Sequence, residues 1–286
     1  MGVIIIQIRR PLLIILVFVI AISFIITNNT KNNEEINDKI ITIQGIVKGK
    51  IEKKRYNQYK VGVFLINDYT KNKNLKIGQK VNITGKFKSL DKMKYDDFDY
   101  GRYIKSTGYK GIVYINNYKI IDKNKFYSLI GEIKFYISKT YRYLYKKNSD
   151  FINSILLAEV ENLSEEQKEI FTRTGTSHVI SISGLHTGIL CIIISFLLRG
   201  INKLYKLLIL SIFITLYCIM VGASPSIIRS IAFVMIFYLS IFIDRKKDGI
   251  SALSLIGIIL IMNNPYVIYN VSFQLSFLAT LSILIF

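Results

Sequence analysis

Between Val179 and Phe286 the chain carries a train of long apolar runs whose connecting loops are alternately basic and uncharged, and few folds accommodate that pattern. Val179–Leu198, Leu204–Val221, Ile227–Ile243 and Tyr266–Phe286 each approach the ~20 residues that cross a hydrocarbon core. Ile250–Met262 is shorter and reads as a tilted partial span or a re-entrant segment. An earlier run, Pro11–Ile26, follows Arg9 and Arg10 and is interrupted only by Ser23. The stretch Phe24 to Thr27 offers no small-x-small cleavage pattern, so the run reads as a retained anchor, with a cleaved signal as the alternative.

Charge then orients the spans. Arg199, Lys203 and Lys206 lie in one loop and Arg245, Lys246 and Lys247 in the next but one, whereas Gly222–Ser226 and Asn263–Tyr266 contain no lysine or arginine. The positive-inside rule places the N-terminus and both basic loops in the cytoplasm and residues 28–178 outside. Residues 28–150 hold 27 basic against 12 acidic residues, most of the chain's formal +19. Long loops cross a membrane largely regardless of charge, so this basic segment does not contradict the orientation. Such a distribution excludes a soluble cytosolic enzyme and a disordered chain. Cys191 and Cys218, both inside apolar runs, exclude a disulfide scaffold and a thiolate zinc site.

Residues 40–120 read as short strands. Ile41, Ile43, Val47 and Ile51 mark the first, Tyr59–Ile66 the second, Val81–Phe87 the third and Gly111–Ile115 the fourth, with glycines and asparagines between them and no helix. A small barrel or sandwich follows, and the size suits a five-stranded oligonucleotide-binding barrel. The fold class expected is therefore a polytopic α-helical membrane protein with an inserted small all-β (OB-like barrel) extracytoplasmic domain. Its parts are an anchor at 1–27, the barrel at 28–125, amphipathic and connecting helices at 126–178 and a truncated helix bundle at 179–286. Lys48, Lys50, Lys53, Lys54, Arg55 and Lys60, interleaved with Tyr56 and Tyr59, form a surface on which lysines would neutralise phosphates and tyrosines stack on bases. A solvated lysine-rich hairpin explains the same residues. Asp96, Asp97 and Asp99 lack calcium-loop spacing and read as turn residues. Phe126–Lys147 has a basic amphipathic pattern, with Ile130, Ile133, Ile137, Tyr141 and Leu144 on one face. It lies either in a membrane interface or on the barrel. Ser164 and Gln167 form a capping box for a helix that ends by Gly175.

The most informative segment enters the second apolar run with His178, Ser181, Ser183, Gly184, His186, Thr187 and Gly188, including both histidines of the chain. Polar atoms at membrane depth are costly unless protein or water faces them. Gly184 and Gly188 make a G-x-x-x-G, which fits a close helix contact. The functional alternative is the wall of an aqueous path, with Arg229 and Gln274 from later spans as further members. A serine-protease pairing fails because both histidines share the segment of Ser183 and the G-x-S-G motif lacks its first glycine. A two-histidine metal site lacks acidic ligands nearby.

These residues resemble a known family. Leu156-Leu-Ala-Glu159, Leu163-Ser-Glu-Glu166 and Phe171 through Gly175, His178, Ser183 and His186 resemble the hallmark of the ComEC competence proteins. Phe98-Asp-Tyr-Gly-Arg-Tyr103 with Gly108, Ser224-Pro-Ser-Ile-Ile-Arg229 and Ser272-Phe-Gln-Leu-Ser-Phe-Leu-Ala279 resemble further landmarks in the same order. The resemblance implies the N-terminal part of an inner-membrane channel for single-stranded DNA uptake in natural transformation. Implied partners are single-stranded DNA, the lipid bilayer, other competence proteins and a missing C-terminal or nuclease part, in an oligomer if the pore needs one. Relatives continue with further spans and often a metallo-β-lactamase-like domain. The chain is accordingly expected to be a fragment, a truncated gene product or one part of a split protein, without catalysis, metal or cofactor. The competing expectation is a membrane-anchored transport or assembly subunit whose barrel binds a protein partner or lipid headgroups.

Overall fold

A computed structural model describes residues 10–29, 37–53, 55–70, 74–91, 93–95, 98–176, 184–222, 225–242 and 248–285. The first helix, α1 (Pro11–Asn29), is apolar on every side, with only Ser23 and Thr27 buried. Its exposed Val17, Phe18 and Ile25 are what a helix meeting lipid presents.

After α1 come β1 (Ile40–Glu52), β2 (Asn57–Val61), β3 (Phe64–Asp68) and β4 (Gln79–Lys88), a small hairpin of β5 (Lys94–Tyr95) and β6 (Phe98–Asp99), the helix α2 (Tyr100–Ser106) and β7 (Gly111–Lys123). Five of these strands close a barrel in the order β1-β2-β3-β7-β4, with β4 returning to β1. All pairings in it are antiparallel except β3 with β7. Alternating apolar positions supply the core: Val47, Val61, Ile66, Val81, Ile83 and Val113 are almost wholly removed from water. Each such side chain contributes about 1.5–3 kcal/mol relative to exposure.

Two details differ from the sequence expectation. Tyr59–Ile66 is not one strand, because Gly62 at φ +58° turns the chain and makes β2 and β3 antiparallel partners. A helix does interrupt the strands: Asp99 accepts from the Arg102 N–H at 2.9 Å and starts α2 as its N-cap. Asp99, read from the sequence as a turn residue, is instead the last residue of β6 and the N-cap of α2.

Helix α3 (Lys125–Tyr145) leaves β7 through the N-cap Asn124, whose side chain accepts from the Tyr127 N–H. It docks where Gly78, at φ +91°, has no room for a side chain; a Cβ there would sit 2.5 Å from the Ser128 nitrogen. Next are α4 (Ser149–Leu157) and α5 (Glu165–Arg173). The capping box is present: Ser164 Oγ accepts from the Gln167 N–H and Gln167 Oε1 from the Ser164 N–H, both at 3.1 Å.

The apolar runs form α6 (Gly184–Leu197), α7 (Lys203–Val221), α8 (Pro225–Phe242), α9 (Gly249–Asn263) and α10 (Val271–Ile285). Among the described residues, α1 and α7, at 19 residues each, are long and apolar enough to cross a membrane, and α9 and α10 are shorter apolar helices. Ile256 and Ile261 of α9 are almost wholly buried, so this helix sits in the interior of the bundle. Helix α10 begins five residues later than the apolar run, because Asn264 and Asn270 bracket a 3-10 turn over Pro265–Tyr269.

Helix directions follow from contacts at their ends. Arg10 Nε lies 3.5 Å from Asp248 Oδ2, joining the starts of α1 and α9. Their other ends meet where Ser23 Oγ donates to the Pro265 carbonyl at 2.7 Å and Thr27 Oγ1 lies 3.0 Å from Tyr269 Oη. The two helices are thus parallel, and α10 runs back until Leu284 reaches Gly249. Helix α8 lies between two apolar clusters: Ile227 and Ile231 face α6 and α7, while Ile228, Ala232, Phe233 and Ile236 face α1, α9 and α10.

Candidate functional site

The barrel is bolted to the bundle through α2. Asn264 Nδ2 donates to the Lys105 carbonyl at 2.8 Å, and Asn270 Nδ2 donates to Ser106 Oγ at 3.1 Å. The Arg102 guanidinium lies 4.9 Å from the Tyr269 ring centre and Lys105 Nζ lies 5.0 Å from that of Tyr266. These contacts lie at the end of the bundle opposite Arg10 and Asp248. α7 also ends on this side: Tyr217 Oη donates to the Leu156 carbonyl at 3.1 Å, and Lys60 Nζ comes within 3.9 Å of where a side chain on Gly222 would begin.

The basic surface expected on the barrel divides into distinct environments. Lys48 stands over the Tyr127 ring at 5.7 Å. Lys50 is engaged by Glu52 at 2.6 Å and by Asn74 Oδ1 at 3.1 Å, so its charge is already matched. Lys53 Nζ donates to Tyr56 Oη at 3.2 Å, and Arg55 is exposed in the same β1–β2 loop. Lys60 is half-buried, and burial pushes its ammonium below the ordinary value against the pull of Glu161. Burial likewise lowers Lys134 of α3, with Glu159 opposing the shift and the Lys60 charge adding to it. Lys60 and Lys134 therefore lie within electrostatic range of each other and of Glu161 and Glu159 respectively, where the barrel, α3 and the 3-10 turn Val160–Asn162 converge.

Tyr59 corrects the expectation. It has no exposed surface and fills the barrel core, so it cannot stack on a ligand. Its strand neighbour Gln58 is also buried, its Nε2 donating to Asn67 Oδ1 at 2.8 Å, so β2 turns both faces away from water and the usual alternation fails. A partly exposed aromatic platform exists nonetheless, built by Tyr56, which the sequence reading named, with Tyr69 and Tyr114, which it missed. Tyr56 lies 4.8 Å from Tyr69, and Tyr69 lies 5.9 Å from Tyr114, ring centre to ring centre. Tyr69 is 55% exposed. These three come from the β1–β2 loop, the end of β3 and β7, and only barrel closure makes them adjacent. Periodicity within one strand carries no signal for such a set.

Within the bundle, His178, Ser181 and Ser183 lie outside the described residues, as do Lys54, Asp96 and Asp97. Gly184 opens α6. His186 is half-buried and Thr187 almost wholly buried one residue on. The G-x-x-x-G reading needs a correction at Gly188, where an added methyl would meet nothing within 4 Å among the described residues. Helix α6 packs instead through Cys191 against Leu210, Ile214 and Ile231. Arg229, one turn into α8, points at α10: Nη1 donates to Thr280 Oγ1, and the guanidinium carbon lies 6.0 Å from the Phe277 ring centre. Its Nε is buried with no hydrogen-bond partner, and no carboxylate pairs with it among the described residues. Its guanidinium turns to α10 rather than outward, and it forms no ion pair among the described residues. Gln274 is exposed, its Nε2 donating to the Ile268 carbonyl at 2.7 Å, which ties the start of α10 to the preceding turn. His186 and Arg229 thus belong to one bundle, on helices that pack together, while Gln274 serves the turn.

Comparison with known proteins follows this division of the chain. Residues 155–286 match the family model described as Competence protein. Over 161 residues the chain is 26% identical to ComE operon protein 3 of Bacillus subtilis (strain 168), covering 56% of this chain and 21% of that protein. Over 125 residues it is 30% identical to an uncharacterized protein of Aquifex aeolicus (strain VF5), covering 43% of this chain and 30% of that one. The chain thus spans less than a third of the length of either relative. Among solved structures, an aspartyl tRNA synthetase from Entamoeba histolytica superposes with a TM-score of 0.24 at 11% identity, covering 57% of this chain and 34% of that one, and this likeness carries no argument. Over residues 155–286 the chain is thus similar to the competence-protein family.

Proposed function

We propose that this chain forms part of an inner-membrane channel that takes up single-stranded DNA in natural transformation. The barrel is the extracytoplasmic, OB-like receiving domain, and the helices are a multi-pass bundle with the N-terminus in the cytoplasm. One observation carries the reading: a ladder of exposed Tyr69 between the partly buried Tyr56 and Tyr114 stands beside Lys53, with exposed Arg55 in the same loop as Tyr56. Oligonucleotide-binding barrels use the face of strands 2 and 3 and the loop between strands 1 and 2, and that loop here holds Lys53, Arg55 and Tyr56. Aromatic rings that accept any base, with lysines for the backbone, suit a strand of arbitrary sequence.

The orientation is supported by the bundle's own geometry. Arg10 and Asp248, which adjoins the basic loop at residues 245–247, share one end, and the barrel is held at the other. From Lys53 and Lys60 the path continues to the mouth of the bundle at Gly222 and then past Arg229, with His178, Ser181, Ser183, Gly184, His186, Thr187 and Gly188 lining or shaping it. A conduit must release what it binds, so each contact is weak and repeated.

The test uses the full chain in lipid nanodiscs, titrated against a labelled single-stranded oligodeoxynucleotide at several salt concentrations. Binding that weakens with salt is expected, with a slope near −0.7 per phosphate neutralised. A flat titration at low salt would instead favour a subunit whose barrel binds a protein partner or lipid headgroups.

A further inference from the structure

Helix α3 has three sides, only one of which the fold uses. Its inner side meets the barrel and α4 through Ser128, Ile130 and Ser138, all buried, with Ser138 Oγ donating to Glu159 Oε2 at 3.0 Å. A second side leaves Phe126, Leu129, Ile133, Tyr136, Tyr143 and Leu144 in water, Tyr136 at 72% and Tyr143 at 83% exposure. Positions 126, 129, 133, 136 and 143 recur at helical spacing and form one stripe down the whole helix. The third side and the last turn carry exposed Lys125, Lys139, Arg142, Lys146 and Lys147, against Glu132 alone, which is engaged by Lys123 at 3.3 Å.

We infer that α3 lies in the headgroup zone of the bilayer, its Phe126–Tyr143 stripe immersed at the acyl boundary and its basic side on anionic lipid. The level of the helix supports this occupant over a soluble partner. Helix α3 packs against α7, and Tyr141 lies within electrostatic range of Tyr217, one turn before Val221 ends α7. The C-terminal half of α3 is therefore level with the last turn of a 19-residue apolar helix, where a bilayer's hydrocarbon gives way to polar groups. Aromatic rings concentrate at that depth, and basic amphipathic helices sink their apolar face about 5–10 Å into it. Exposed Tyr143, Leu144 and Tyr145 beside Lys146 and Lys147 have the composition such a boundary selects. The inference rests on the reading of α7 as a membrane span.

The chain contains no tryptophan, so each Trp substitution supplies the sole indole. Tyr136→Trp and Tyr143→Trp report on α3, and Phe213→Trp reports on the middle of α7. Each variant of the full chain is reconstituted in phosphatidylcholine–phosphatidylglycerol vesicles whose acyl chains are brominated near the headgroup or near the methyl end. The α3 variants should lose more emission to the shallow bromines, and Phe213→Trp more to the deep ones. Loss of emission from Phe213→Trp with none from either α3 variant would overturn the inference and leave the span intact. Emission unaffected in all three would overturn the membrane reading together with it.

Discussion

Truncation of Tyr69 separates base stacking from general electrostatics. The ring is half-exposed and touches Tyr56 and Tyr114 across 4.8 and 5.9 Å, so it has one free face and two supporting neighbours. Tyr69→Ala forfeits those aromatic contacts, worth about 0.5–1.5 kcal/mol each, and leaves the barrel core untouched. A base stacked on the ring would lose about 1–3 kcal/mol, which is roughly 5- to 150-fold in Kd. Tyr69→Phe keeps the ring and should bind within about twofold of the parent. Tyr59→Ala supplies the opposite control: with no exposed surface, its truncation should cost about 3–5 kcal/mol of stability without touching the ligand surface. The assay is fluorescence anisotropy of a labelled oligothymidine titrated with the full chain in nanodiscs, paired with thermal unfolding of each variant. Unchanged affinity in Tyr69→Ala, with salt-sensitive binding intact, would refute stacking and leave only lysine–phosphate attraction.

Three further outcomes follow from the packing. Gly101→Ala places a Cβ onto the Leu90 carbonyl oxygen, so α2 must shift off its seat at a cost of about 1–3 kcal/mol, read as a fall in Tm. Arg229→Met removes a partly buried cation that has no carboxylate partner among the described residues, so folding should be preserved or improved while, on the proposed reading, DNA uptake falls; loss of insertion would assign Arg229 a packing role. Burial holds Lys60 and Lys134 below the ordinary 10.5, so the unfolded chain binds more protons between the lowered values and 10.5. Stability should therefore rise with pH across that window, and the double variant Lys60→Met with Lys134→Met should flatten the rise in an alkaline unfolding series.

Linear signals survived into the structure where the cause was local. The run Leu204–Val221 became α7 with one residue added, and the Ser164 capping box formed as spaced, because apolar length and a three-residue reach are properties of adjacent residues. Composition and loop charge also sorted the chain into a basic strand-rich part and an apolar helical part before any contact was known. Strand exposure was less legible. Tyr59 and Tyr56 look alike in sequence, yet one fills the core and the other lies on the outside, because β2 is covered on both faces.

What the amino-acid order alone determined is thus which segments are apolar enough to form the helices and which part of the chain is basic. Tertiary structure decided which polar groups meet. Tyr56, Tyr69 and Tyr114 become a ladder only when β3 pairs with β7, and Lys60 reaches Gly222 only when the barrel and the helices come together. Arg229 finds Thr280 fifty-one residues away for the same reason. Such encounters depend on closing long loops at once, an entropy cost met only by the assembled core, so no local pattern announces them.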